Sequence, residues 1–136
     1  MKLDGQCLCG GVKISANVPK KSIGACHCGM CRKWSGAPAL AVFVQGELEI
    51  TGQELVKTFD SSLWAERGFC SNCGSHLFYR MKNGKFTNIP VGLLKDQNGF
   101  EFDLQVFVDN KPDYYDFSNE TKNMTEQEVL KAFGAQ

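Results

Sequence analysis

The sequence predicts a mainly β, antiparallel chain closed by one short helix at its C-terminal end. Three observations carry this expectation. Phe100, Phe102, Leu104, Val106 and Val108 alternate over nine positions, and such alternation marks a half-buried strand. Asn83-Gly84 is a two-residue hairpin signal of type I′ and pairs His76–Lys82 with Lys85–Val91. Thr125 with Glu128 forms a capping box. Val129, Leu130 and Phe133 follow as an apolar stripe, and Gly134 follows as a stop.

The other elements follow in order. Val12, Ile14, Ala16 and Val18 alternate with polar residues. With the segment through Cys7 they form a hairpin whose turn holds Cys7 and Cys9. Ser22 to Cys26 reads as extended. Cys31 to Gly36 reads as one helical turn, ended by Gly36 and Pro38. Further strands are expected at Ala39–Val44, Glu47–Thr51, Leu55–Phe59, Leu63–Phe69 and His76–Met81. Trp34 and Phe69 are expected in the core. No repeat, linker or low-complexity tract interrupts the 136 residues, a length that suits a single domain over 1–136.

Fifteen basic residues balance fifteen acidic ones. Metal-bound thiolates would shift this neutral balance to net negative, which speaks against nucleic acid as a partner. No apolar run is long enough to span a bilayer, so no membrane role is expected. The chain opens Met1-Lys2-Leu3-Asp4-Gly5 without a signal-peptide pattern. Reduced, metal-bound cysteines then point to the cytoplasm.

The seven cysteines fall in three groups. Cys26-His27-Cys28-Gly29-Met30-Cys31 packs three thiols into one short stretch. In extended backbone, Cys26 and Cys28 point to one side and His27 to the other, which makes His27 an exposed neighbour rather than a ligand. Cys28 and Cys31 have the C-x-x-C spacing of a two-thiolate claw. Cys7-Leu8-Cys9-Gly10 and Cys70-Ser71-Asn72-Cys73-Gly74 supply two more pairs, each followed by a glycine that can take positive φ. The simplest partition joins Cys7, Cys9, Cys70 and Cys73 on one metal and leaves Cys26, Cys28 and Cys31 on another, although other partitions satisfy the same count. Four ligands describe a structural zinc; three with an open position describe a catalytic one. A disulfide framework conflicts with the odd number and the chain length. A second closed site, completed by His27, His76 or an acidic residue, is the main structural alternative.

Four blocks occur in order: C-L-C-G-G-V at Cys7–Val12, C-H-C-G-M-C-R-K-W-S-G-A at Cys26–Ala37, R-G-F-C-S-N-C-G-S-H-L at Arg67–Leu77 and V-F-V-D-N-K-P-D-Y at Val106–Tyr114. Across about residues 5–117 the chain resembles the glutathione-dependent formaldehyde-activating enzyme family, which includes centromere protein V-like domains. Tyr114 stands where that family carries an aromatic residue, often tryptophan. The resemblance implies a β-tent-like zinc fold of antiparallel sheets and two zinc ions. One is structural, on Cys7, Cys9, Cys70 and Cys73; the other is catalytic, on Cys26, Cys28 and Cys31. It also implies carbon–sulfur lyase chemistry, joining glutathione to formaldehyde as S-hydroxymethylglutathione.

Ligand chemistry points the same way. Three thiolates make a soft site and a weak Lewis acid, which disfavours metal-hydroxide hydrolysis and favours a thiol as fourth ligand. Arg32, Lys33, Arg67 and Arg80 are near the claws in sequence and are candidates to grip glutathione carboxylates. His76 is a candidate proton shuttle. A zinc-scaffolded binding module, or a redox or metal sensor using Cys26, Cys28 and Cys31, is the rival class.

Overall fold

In the computed structural model, which describes residues 1–133, the strands in chain order are β1 (Lys2–Gln6), β2 (Lys13–Asn17), β3 (Ser22–Cys26), β4 (Ala39–Val44), β5 (Glu49–Thr51), β6 (Val56–Asp60), β7 (Ala65–Cys70), β8 (His76–Met81), β9 (Thr87–Pro90), β10 (Glu101–Val106) and β11 (Lys122–Met124). The helices are α1 (Gly29–Ser35) and α2 (Glu126–Phe133). No helix among the described residues is long and apolar enough to cross a membrane.

The chain divides into two compact units. The first takes Met1–Lys21 and Ala41–Gly99. Its β1 and β2 form the expected antiparallel hairpin, with Leu3 opposite Ala16 and Gly5 opposite Ile14. All four face inward and are buried, as a period of two requires. β5 pairs on the other side of β2. The remaining strands run antiparallel in the order β4-β9-β8-β7-β6. Val42, Val44, Leu77, Phe78 and Ile89 are among the buried side chains of this run.

Gly68 on β7 lies opposite Phe78 on β8. A Cβ at Gly68 would run into the Phe78 ring. On that ring rests the Arg80 guanidinium, 4.3 Å from its centroid and tied to Glu66 at 2.7 Å. Gly68→Ala therefore overpacks a buried aromatic. It is expected to remove about 1–3 kcal/mol of stability, read as a lower urea midpoint; an unchanged midpoint would show that the ring moves aside freely.

The second unit takes Ser22–Leu40 and the chain from Phe100 onward. Here the structure departs from the sequence reading. β10 runs parallel to both β3 and β11, so the expectation of antiparallel sheets holds for the first unit only. The alternation read in Phe100–Val108 also breaks. A register shift falls between Phe102 and Leu104, and the buried residue of β10 is Gln105, not its apolar neighbours. The strand ends at Val106 because Phe107 takes a left-handed conformation, φ 55° and ψ 41°. Positive φ on a bulky residue is a strained position.

Other local expectations shift slightly. The β8–β9 turn is not type I′: Gly84 has φ 78° but Asn83 does not. Gly84 N–H closes a turn on Met81 O at 2.9 Å, and Asn83 Oδ1 accepts the Lys85 N–H at 2.9 Å. The result is a longer loop with glycine at its left-handed position. α1 begins earlier than expected, with Cys28 as its N-cap and Gly36 as its C-cap. Trp34 and Phe69 are half-buried rather than core.

The capping box forms in full. Glu128 N–H donates to Thr125 Oγ1 at 3.3 Å and Thr125 N–H to Glu128 Oε1 at 3.0 Å. The Thr125 N–H, then the Thr125 hydroxyl, which donates to Glu128 Oε1 at 3.0 Å, hold the Glu128 carboxyl below its usual range. Val129 is buried, Leu130 half-buried and Phe133 exposed, so the stripe is narrower than its sequence suggests. The expected stop at Gly134 lies outside the described residues.

Candidate metal centres

The first unit gathers Cys7, Cys9, Cys70 and Cys73, with sulfurs all within 4.8 Å of one another. Cys7 and Cys9 hang from the β1–β2 turn, and Cys70 and Cys73 from the β7–β8 turn. Each turn closes on a glycine: Gly10 and Gly74 both have φ 77°, bonding back to Cys7 O and Cys70 O. Backbone amides point at the sulfurs, Val12 N–H to Cys7 Sγ at 3.3 Å and Gly11 N–H to Cys9 Sγ at 3.4 Å. Such donors favour thiolate over thiol.

The separations test whether a tetrahedral ion fits. A zinc–sulfur bond of about 2.3 Å sets neighbouring sulfurs about 3.8 Å apart. Cys7 and Cys9 are 3.5 Å apart and Cys9 and Cys70 are 3.8 Å apart. These two separations match such an ion, and all the others stay within 4.8 Å.

Ser75, which sequence reasoning passed over, joins the two claws. Leu8 N–H donates to its Oγ at 3.0 Å, and that oxygen lies 3.3 Å from Cys73 Sγ. The Ser75 side chain, then its backbone, lowers the Cys73 thiol to about 5. The Asn72 side chain, then Gly11 N–H, lowers Cys9.

The second unit gathers Cys26, Cys28 and Cys31, again with sulfurs within 4.8 Å of one another. No further His, Cys, Asp or Glu among the described residues joins them. Cys26 ends β3. Cys28 is the extended N-cap of α1, φ −65° and ψ 156°, and its sulfur accepts the Cys31 N–H at 3.3 Å. Cys31 sits in the first turn, buried. The Cys26 thiol is pushed far above its usual range, first by its bonds to Cys28 and Cys31 and then by burial. Three crowded sulfurs resist joint ionisation, and a bound dication removes that conflict. An all-sulfur donor set suits thiophilic metals, zinc and copper(I) among them.

His27 reverses the expectation of an exposed neighbour: its exposure is 0%. Tyr115 O–H and the His27 Nδ1 atom are 2.7 Å apart, and His27 Nε2 lies 2.8 Å from Gln105 Oε1. The Gln105 amide donates to Thr121 Oγ1 at 2.9 Å, which donates to Asn123 Oδ1 at 2.6 Å. Because the Gln105 nitrogen is committed to Thr121, its oxygen faces His27, so Nε2 carries the hydrogen and Nδ1 accepts from Tyr115. Burial holds the Tyr115 hydroxyl above its usual range, keeping it a donor. With both ring nitrogens bonded, His27 is not a metal ligand. That removes one way of closing the second site.

The remaining candidates separate by unit. Arg32 and Lys33 are on α1 beside Cys31. Lys33 is exposed. Arg32 is half-buried, donating from Nε to His27 O at 3.0 Å and from Nη2 to Asn110 O at 3.4 Å. His76, Arg67 and Arg80 belong to the unit of the four-cysteine cluster. Arg67 is only 6% exposed, its guanidinium 5.1 Å from the Tyr79 ring centroid. Burial, then the Arg67 charge, lowers the pKa of His76. Tyr114 is 80% exposed; its neighbour Tyr115 is the one that packs on His27.

Comparison with known proteins places this arrangement in a family. Residues 2–110 match the glutathione-dependent formaldehyde-activating enzyme family, and the chain belongs to it. An uncharacterized lyase of Schizosaccharomyces pombe is 38% identical over 130 residues, covering 95% of each chain. The crystal structure of a Rhodobacter sphaeroides protein shares the fold, with a TM-score of 0.60 at 22% identity, covering 76% of this chain and 99% of that one.

Proposed function

We propose that the chain is a zinc-dependent carbon–sulfur lyase that joins a thiol, glutathione, to a small aldehyde, formaldehyde. The thiol sulfur bonds to the carbonyl carbon and the thiol proton passes to the carbonyl oxygen, giving a hydroxymethyl thioether with no other product. Family membership and the lyase name of the fission-yeast relative support this reading. The observation that carries it is the three-thiol cluster, to which no further His, Cys, Asp or Glu among the described residues belongs. Zinc held there by Cys26, Cys28 and Cys31 would stabilise an incoming thiol as thiolate and accept it as fourth ligand. The four-cysteine cluster holds a second, structural zinc.

The chain's own residues supply orientation. Cys28 is fixed by the Cys31 N–H, and the short segment holds its three sulfurs nearly rigid. Of the two cations on α1, Lys33 is the exposed one and is suited to a glutathione carboxylate, whereas the Arg32 bonds go to two main-chain oxygens.

Cobalt substitution tests the proposal. The protein is expected to bind two metal ions, and glutathione is expected to change the ligand-field bands of the three-cysteine site. Bands that glutathione leaves unchanged would replace the enzyme with a zinc-scaffolded binding module.

A further inference from the structure

His27 sits between two of the three cysteines, and every polar atom it owns is bonded. Its N–H donates to Val106 O at 3.1 Å. Its carbonyl accepts from Arg32 Nε at 3.0 Å. Its ring joins Tyr115 at 2.7 Å and Gln105 at 2.8 Å, and packs beside Tyr115 and Phe117 with centroids 5.5 and 6.0 Å away. The loop bearing Tyr115 is itself stapled, since Lys111 Nζ donates to Tyr115 O at 2.6 Å and meets Asp116 at 2.8 Å. On the other flank Phe107 adopts its left-handed turn directly after Val106, the residue in register with Cys26. That turn brings Asn110 O to the Arg32 guanidinium.

Packing alone does not explain this. An apolar residue would fill the space without needing four partners, whereas a fully satisfied buried polar network fixes one arrangement of its members. The residue so fixed lies one peptide from each of two sulfurs. Any rotation of His27 about its backbone would carry Cys26 and Cys28 with it.

We infer that His27 is a positioning residue: clamped by Tyr115, Gln105 and Arg32, it holds Cys26 and Cys28 at the spacing a metal ion needs before the ion arrives. This rests on the metal reading of the three-cysteine site proposed above. Residues that orient metal ligands without touching the ion typically change affinity about 10- to 100-fold when altered, because a site that must organise itself on binding starts from a less populated state.

The test uses the full chain and cobalt alone. Cobalt is titrated against a chelator into the parent, Tyr115→Phe and His27→Gln, with Cys28→Ser identifying the phase that belongs to the three-cysteine site. Tyr115→Phe keeps the ring and deletes one donor. The expected result is an affinity about 10- to 100-fold weaker at the three-cysteine site, with altered ligand-field bands and no change at the four-cysteine site. A purely structural role would not single out one site. Parental affinity and bands in Tyr115→Phe would overturn the inference, and that variant decides the matter if His27→Gln does not fold. A parent without a second cobalt phase would instead overturn the metal reading itself, and this inference with it.

Discussion

Cys70→Ser is expected to abolish cooperative folding of the first unit. Its sulfur is completely buried and lies 3.8 Å from that of Cys9, 61 positions away in sequence. A metal there closes a long loop, which is where a cross-link removes most entropy from the unfolded chain. Binding at such a site is folding free energy, on the order of 10 kcal/mol or more in small zinc modules. The whole stability of a domain is only about 5–15 kcal/mol, so losing one of four thiolates is enough to unfold it. Serine is nearly isosteric, so the effect cannot be assigned to a cavity. Circular dichroism against temperature should show no sharp transition for Cys70→Ser or Cys73→Ser. Variants that melt like the parent would show that these cysteines do not hold a structural ion.

Cys28→Ser should behave in the opposite way. The three-cysteine cluster is local, so its metal closes little chain and contributes less to folding. Serine is also a favoured N-cap, and a hydroxyl at position 28 can still accept the Cys31 N–H that the sulfur now accepts. The variant is expected to fold, to retain one metal ion per chain by elemental analysis, and to lose glutathione-dependent turnover of formaldehyde to background. Turnover at parental rate with one ion bound would move the chemistry away from this cluster.

The cysteine clusters were legible in the sequence because each claw is a local pattern and only the joining of claws is long-range. The glycines after Cys9 and Cys73 announced their turns, and both turns have positive φ at those glycines. The hairpin around the first claw was legible for the same reason, since alternation from Val12 to Val18 is local. The role of His27 was not legible. Its partners Gln105 and Tyr115 lie 78 and 88 positions away, and nothing in a short window distinguishes a histidine that faces solvent from one that faces a distant glutamine. The same distance hid the parallel pairing of β3 with β10. It also hid the inversion by which Gln105, rather than Leu104 or Val106, is the buried residue of its strand: alternation counts apolar side chains and cannot foresee that the interior needs an amide.

The bonds of His27 also bear on where the working unit stops. Every cysteine lies before residue 74, and the family match ends at residue 110. Yet Tyr115, Phe117, Thr121 and Asn123, which complete the surroundings of His27 directly or through Gln105, all come later. A fragment trimmed to the matched region would keep all seven cysteine sulfurs and leave the His27 ring with one nitrogen bare in a hole where Tyr115 had been. Transplanting the three-cysteine motif alone into another scaffold is expected to weaken its hold on a metal for the same reason. What is portable here is the loop with its far C-terminal lining, and that lining carries no motif by which to find it.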